Sequence, residues 1–119
     1  MREIRFRVWC NDRKQWERHE HVLSQNGKLY QLKNMLHVSK NNHIIEQFTG
    51  LKDSNGVDIY EGDIVKQTIG YDFYVGTVIW FDCSFNLSFP SILENLEDLI
   101  GTLNVVGNIH ENPELVGAE

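Results

Sequence analysis

The sequence has 119 residues, 41% of them apolar, and a formal net charge of −6. A chain of this length forms one ordinary domain with a single modest core. It contains no apolar run of roughly 18 residues, and its start lacks the apolar segment of a signal peptide. We therefore expect a soluble, cytoplasmic protein with no membrane partner. The acidic net charge also argues against a general nucleic-acid binder.

The charge is distributed unevenly along the chain. Residues 1–60 carry ten Lys and Arg against seven Asp and Glu, whereas residues 61–119 carry one against ten. The basic half can pack against the acidic half, within the chain or between copies. Alternatively, the basic half binds a polyanion or the acidic half mimics nucleic acid. The first interpretation is favoured because charge asymmetry alone is a weak signal.

Most of the predicted elements are β-strands. Residues 4–9 alternate apolar and charged side chains, which is the period of a half-buried strand. Asn26-Gly27 precedes a second alternating stretch at residues 29–32 and predicts a β-hairpin. Residues 43–49 are rich in β-branched and aromatic side chains and predict another strand.

The block from residue 47 to residue 66 carries the clearest local signal. Asn55-Gly56 lies between two apolar segments and predicts a hairpin with a type I′ turn, in which both central residues have positive φ. Gly62-Asp63 leads into a strand at residues 64–68, and strands are also predicted at residues 74–81 and 85–89. Short strands around glycines are typical of small SH3-like barrels.

One segment departs from the β pattern. Ser91 and Glu94 form a capping box, and Leu93, Leu96 and Ile100 recur at helical spacing. These features predict a short α-helix over about residues 91–100. A strand is expected again over residues 103–109.

Five cysteine and histidine residues are candidate metal ligands. The candidates are Cys10, His19, His21, His37 and His43. No spacing among them matches a known zinc site, so we expect neither a metal nor another cofactor. The two cysteines, Cys10 and Cys83, are expected to be ordinary buried or half-buried thiols.

The sequence offers no constellation typical of catalysis. Four acidic residues could converge at one edge of a barrel for acid–base chemistry: Asp58, Glu61, Asp63 and Asp82. Such residues more often shape turns, because their carboxylates accept hydrogen bonds from nearby backbone amides. We predict no catalytic residues and no enzymatic activity.

The N-terminal strand supplies the residues of a predicted contact site. Arg2, Arg5 and Arg7 alternate with apolar residues and are expected to project from one face of the strand. Trp9 and Trp16 lie near them as stacking surfaces for nucleic acid, or as contacts for a protein partner. The alternative is that the guanidinium groups pair with acidic residues elsewhere in the fold.

The second half of the chain is rich in aromatic residues. They are Tyr71, Phe73, Tyr74, Trp80, Phe81, Phe85 and Phe89. Most are expected in the core, and any excess left on the surface would mark an oligomer or partner interface.

The order and spacing of three segments resemble those of a known protein family. The segments are MREIRFRVW (residues 1–9), QFTGLKDSNG (47–56) running into IYEGDIV (59–65), and VGNIHENPEL (106–115). Together they resemble the YopX family of small phage and prophage proteins. Cys10 and His110 depart from the family pattern, since they stand where an acidic and an aromatic residue are common.

The resemblance implies a mainly β protein with an SH3-like barrel, encoded in mobile or prophage DNA. It transfers no catalytic residues. We expect a single domain over residues 1–119, with an N-terminal β-hairpin segment at 1–46 and a barrel core at 47–119. The expected function is that of a non-enzymatic accessory protein that binds itself, as a homo-oligomer, or a phage or host protein. Nucleic-acid binding through the basic N-terminal strand is the alternative.

Overall fold

β-Strands dominate the fold, as the alternation of apolar and polar residues predicts. The computed structural model describes residues 4–18, 20–32, 35–38, 42–89 and 92–117. Its elements in chain order are β1 (Phe6–Cys10), β2 (Gln15–Trp16), β3 (His21–Leu23), β4 (Leu29–Gln31), β5 (His37–Val38), β6 (His43–Lys52), β7 (Asp58–Tyr60), β8 (Asp63–Ile69), β9 (Asp72–Phe81), β10 (Ser84–Ser88), β11 (Leu93–Asn95), α1 (Leu96–Leu99), β12 (Leu103–Asn108) and α2 (Glu114–Gly117). The chain divides into two units, one of them Arg7–Glu46 and the other the remainder.

The unit Arg7–Glu46 contains two small antiparallel arrangements. β1 pairs with β2, with Cys10 opposite Gln15. β3, β4 and β5 form a three-stranded sheet in that order. The turn between β3 and β4 contains Gly27 with a φ of 83°, so the predicted hairpin at Asn26-Gly27 is confirmed.

The other unit is built on a five-stranded antiparallel sheet with the order β11-β10-β9-β8-β12. The sheet curls as a half-barrel, which agrees with the predicted small β barrel. Its interior is apolar and consists of Ile59, Val65, Val78, Phe85, Leu87, Leu96 and Leu103. Each such side chain contributes about 1.5–3 kcal/mol when it is fully buried.

The hairpin between β6 and β7 is confirmed, but the predicted turn type is wrong. Gly56 has a φ of 81°, whereas Asn55 keeps a negative φ. The Gly56 amide donates to the Asp53 carbonyl at 3.0 Å, and the Asp53 amide donates to the Val57 carbonyl at 2.8 Å. This is a three-residue loop with glycine in the left-handed region. The Asp53 carboxylate holds it, because it accepts the amides of Asn55 and Val57 at 2.8 and 2.9 Å.

A turn with two positive φ angles occurs instead between β9 and β10. Asp82 and Cys83 have φ values of 52° and 60°, and the flanking Phe81 and Ser84 are paired. The Cys83 side chain is exposed, whereas Cys10 is buried. The prediction of a buried or half-buried thiol is therefore confirmed for Cys10 and wrong for Cys83, which lies at a two-residue turn.

The predicted helix is present but shorter than expected. α1 begins after Asn95, whose side chain accepts the Glu97 amide at 3.0 Å. The preceding residues Leu93–Asn95 are a strand instead, because they pair with β10, with Glu94 opposite Leu87. Ser91, the predicted cap, lies outside the described residues. Among the residues that are described, no helix has the length and apolar character needed to cross a membrane.

Candidate functional site

Two of the three arginines predicted for a contact site bond to acidic side chains. Arg5 donates to the Asp58 carboxylate at 2.9 Å, and its guanidinium lies 4.2 Å from the centroid of the Phe48 ring. Lys52 bonds to the same carboxylate at 2.9 Å. The hydrogen bond from Lys52, followed by that from Arg5, lowers the pKa of Asp58 against the opposing effect of burial. Arg2 lies outside the described residues.

Arg7 has a comparable environment in the unit Arg7–Glu46. Its guanidinium lies 3.1 Å from the Glu46 carboxylate and 4.3 Å from the centroid of the Trp16 ring. Trp9 packs against Trp16 edge to face with the ring centroids 5.0 Å apart, and Trp9 is only 3% exposed. A buried ring offers no face for stacking on a base, so burial removes the stacking role predicted for Trp9.

The four acidic residues considered for catalysis have different roles. The Asp63 carboxylate accepts the Tyr60 amide at 2.8 Å, and the Glu61 carboxylate accepts the Gln47 amide at 3.0 Å. The turn-shaping role is confirmed for Asp63, whose partner lies three residues away. Glu61 instead bonds to β6, 14 residues away, so its carboxylate joins two separate segments. Asp58 forms ion pairs, as described above, and Asp82 lies in the β9–β10 turn.

A cluster of three chemically different side chains lies in the unit Arg7–Glu46. Cys10, Glu17 and His43 each offer a potential ligand atom, and these atoms all lie within 4.8 Å of one another. His43 Nε2 and Glu17 Oε1 are 3.2 Å apart. Cys10 and His43 are among the candidate ligands that the sequence offers, whereas Glu17 is not, because no ligand-spacing rule connects it to them. His19 lies outside the described residues, and His37 packs edge to face on Tyr30.

Arg13 dominates the electrostatics of this cluster. Its guanidinium donates to Glu17, and its hydrogen bond with Cys10 lowers the pKa of the thiol. Burial acts to raise the pKa of Glu17, but hydrogen bonds with Arg13 and His43 outweigh burial and leave that pKa below its usual value. The cluster thus combines a sulfur, a carboxylate and an imidazole beside one exposed cation.

Several aromatic residues in and beside β9 are exposed. Those left exposed are Tyr71, Phe73, Tyr74, Trp80 and Phe81. The expectation that most of the aromatic group is in the core is therefore wrong. The alternation of β9 instead directs Gly76 and Val78 inward. A Cβ on Gly76 would lie 3.0 Å from Leu87, which explains why this inward position has no side chain.

Three of these exposed aromatic side chains lie at the tip of the β8–β9 hairpin. Ile69 pairs with Asp72, and Thr68 pairs with Phe73. Adjacent residues of a strand point to opposite faces, so Phe73 and Tyr74 lie on different faces of the hairpin, and both are exposed. Tyr71 occupies the turn and is fully exposed. We refer to Ile69, Tyr71, Phe73 and Tyr74 as the hairpin tip.

A cleft of about 310 Å³ opens in the same unit. Trp80 lies on its wall with its ring edge to face on Phe85, at 4.8 Å between centroids. Leu51, Cys83 and Glu97 also line it. The cleft therefore combines an aromatic wall, an exposed thiol and a carboxylate.

Known proteins share this sequence pattern and fold. The profile of the family described as "YopX protein" matches residues 5–117. The crystal structure of protein EF1440 from Enterococcus faecalis is similar with a TM-score of 0.69 and 23% identity, over 96% of this chain and 98% of that chain. The crystal structure of protein yopX from Bacillus subtilis is similar with a TM-score of 0.70 and 24% identity, over 97% and 98%. No curated protein matches the chain.

Proposed function

Because the chain belongs to the YopX protein family, we propose that it is a non-enzymatic accessory protein of phage or prophage origin. It acts in the cytoplasm by binding protein surfaces, and its first partner is a second copy of itself. The exposed hairpin tip is the observation that carries this proposal.

The tip has the composition of an interface anchor. Apolar side chains exposed on both faces of one hairpin cannot all pack on the sheet that supports them. Aromatic residues are enriched at protein interfaces, where they give large contact areas with few rotatable bonds. Backbone pairing between β8 and β9, which runs from Ile64 to Ile69 of β8, holds the tip in place. Such preorganisation lowers the entropy cost of association.

The cleft beside Trp80 is the proposed receptor on the second copy. Its aromatic wall matches the aromatic tip, and its Glu97 matches Lys66, whose ammonium lies 4.5 Å from the centroid of the Phe73 ring. A tip entering a cleft is a heterologous contact, in which each copy uses two different surfaces. Contacts of this kind generate closed rings or open filaments.

The test is sedimentation equilibrium of the full chain over a wide concentration range. We expect self-association, and we expect the double variant Tyr71→Ser/Phe73→Ser to weaken it at least about tenfold, since aromatic anchors contribute about 2 kcal/mol or more. Trp80→Ala should weaken it comparably. Val57→Ser, which changes another exposed apolar residue, serves as the matched control and should have no effect.

A strictly monomeric wild type at high concentration would refute self-association. The wild type and the tip variant would then be used as baits in extracts of induced host cells. A phage or host protein retained by the wild type alone would support a different protein partner. Retention of none would refute the proposal as a whole.

Nucleic-acid binding by the basic N-terminal strand ranks second. Arg5 and Arg7 already bond to carboxylates, so a phosphate would have to displace Asp58 and Glu46. The hypothesis requires binding that weakens steeply with salt and is lost in an Arg5→Ala/Arg7→Ala variant. The absence of any mobility shift at low salt would exclude it.

A further inference from the structure

We propose that Cys10, Glu17 and His43 bind a divalent transition-metal ion, with zinc as the best match. The three residues supply sulfur, oxygen and nitrogen, which are the ligand atoms that zinc takes from proteins. No residue of the hairpin tip or the cleft belongs to this site.

The distances suit a single ion. Ligands placed tetrahedrally at about 2.0–2.3 Å from zinc are separated by about 3.4–3.6 Å. His43 Nε2 and Glu17 Oε1 are already 3.2 Å apart. The Cys10 Sγ lies within 4.8 Å of the other two ligand atoms, so a rotamer adjustment of about 1 Å completes the set.

The backbone holds all three ligands in place. Cys10 ends β1 opposite Gln15, which places Glu17 just beyond the pairing. The Glu17 amide donates to the Val8 carbonyl at 2.9 Å, and the Asn11 amide donates to the Asn42 carbonyl at 2.8 Å. The second bond keeps the residue after Cys10 against the residue before His43. The backbone pairing therefore places the three ligand residues close together.

Burial adds to this preorganisation. Cys10 is 3% exposed, and the side chains of Glu17 and His43 are 4% and 15% exposed. Few water molecules have to be removed from the ligands, and His43 provides the most open side. Three protein ligands leave one coordination position for water or an external group.

Arg13 would compete with a metal ion for the Glu17 carboxylate. Its guanidinium bonds to Glu17, but its side chain is 57% exposed and free to leave on the solvent side. An incoming ion would replace one positive charge with another. Removal of Arg13 should therefore strengthen metal binding, whereas removal of a ligand should weaken it.

The test uses the reduced full chain after treatment with a chelator. Zn²⁺ is titrated in competition with a chromophoric chelator, and Co²⁺ is titrated by absorption. We expect one Zn²⁺ per chain and a thiolate-to-cobalt charge-transfer band in the wild type. Because this spectrum needs no variant, it does not depend on whether a variant folds.

The variants then assign the ligands. Cys10→Ser should abolish the cobalt band, and Cys83→Ser, the matched control, should keep it. Glu17→Gln and His43→Asn should each lower zinc affinity at least about tenfold, given that even supporting residues of metal sites cost 10–100-fold. His37→Asn should leave the affinity unchanged, and Arg13→Gln should raise it several-fold.

Some results would overturn the proposal. They are the absence of one-to-one zinc binding, a wild type without the cobalt band, or a band that depends on Cys83 rather than Cys10. An unchanged or lower affinity of Arg13→Gln would refute the competition between cations.

Discussion

Replacement of Asp53 by asparagine tests the central hairpin most directly. Asp53 is 7% exposed, and its carboxylate accepts three backbone amides. Asn55 and Val57 donate to one oxygen, and Val105, 52 residues away, donates to the other at 2.9 Å. Asparagine has the same shape, but it places an NH₂ group where one of these amides needs an acceptor.

The expected cost follows from these bonds. Hydrogen bonds to a charged group contribute about 1.5–3 kcal/mol each, and a neutral amide oxygen retains only part of that. Asp53→Asn loses one bond and weakens two, so the free energy of unfolding should fall by about 2–3 kcal/mol. For a chain of this length the Tm should fall by about 6–15 °C.

The effect should also depend on pH. Burial acts to raise the pKa of Asp53, but the amides of Val105, Val57 and Asn55 outweigh burial and hold the pKa below its ordinary value of 3.8. The carboxylate therefore stabilises the fold fully above pH 3.8 and loses that contribution as the pH falls through its lower folded-state pKa. The difference between wild type and variant should narrow in acid.

Urea unfolding followed by tryptophan fluorescence, between pH 3 and pH 7, measures both quantities. Asp72→Asn is the matched control because Asp72 is exposed, and a change within about 0.5 kcal/mol is expected. The reasoning fails if Asp53→Asn is as stable as the control, or if its deficit is the same at both ends of the pH range.

Substitutions at three further positions test the core packing, one ion pair and one turn by thermal or urea denaturation. Gly76→Ala should destabilise by about 1–3 kcal/mol, because the new Cβ would lie 3.0 Å from Leu87; unchanged stability would contradict the close packing. Arg7→Gln should cost about 1–3 kcal/mol through loss of the bond to Glu46, a deficit that should persist at high salt because the Glu46 side chain is 4% exposed. Gly56→Ala should cost about 1–2 kcal/mol through its positive φ, and Gly56→Asn should cost less; equal costs would refute a backbone origin.

The strands could be predicted from the sequence because each has one face toward an apolar interior. The alternation of apolar and polar residues with a period of two shows which face of a strand is buried. β8, β9 and β10 accordingly lie close to their predicted positions. The type of the Asn55-Gly56 turn could not be predicted. It depends on the Asp53 carboxylate, which also bonds to Val105 from a distant strand. Local propensity carries no information about such a contact.

The side-chain sites were harder to predict for a related reason. Glu17 and His43 are 26 residues apart, and only the pairing of β1, β2 and the start of β6 brings them to Cys10. The burial of Trp9 and the exposure of Phe73 have a different cause. Aromatic residues fit both a core and an interface, so residue type alone does not indicate which surface a strand buries.

The loop that the Asp53 carboxylate holds also covers one edge of the five-stranded sheet. β12 is an edge strand of this sheet, next to β8. An exposed edge strand is a template on which a strand of another chain can pair, as in amyloid. Here the Ser54 amide donates to the Leu103 carbonyl at 3.0 Å, and Asp53 occupies the Val105 amide. A strand of another chain therefore cannot readily add to the sheet at this edge. If the loop loosens, we expect aggregation to accompany the loss of stability.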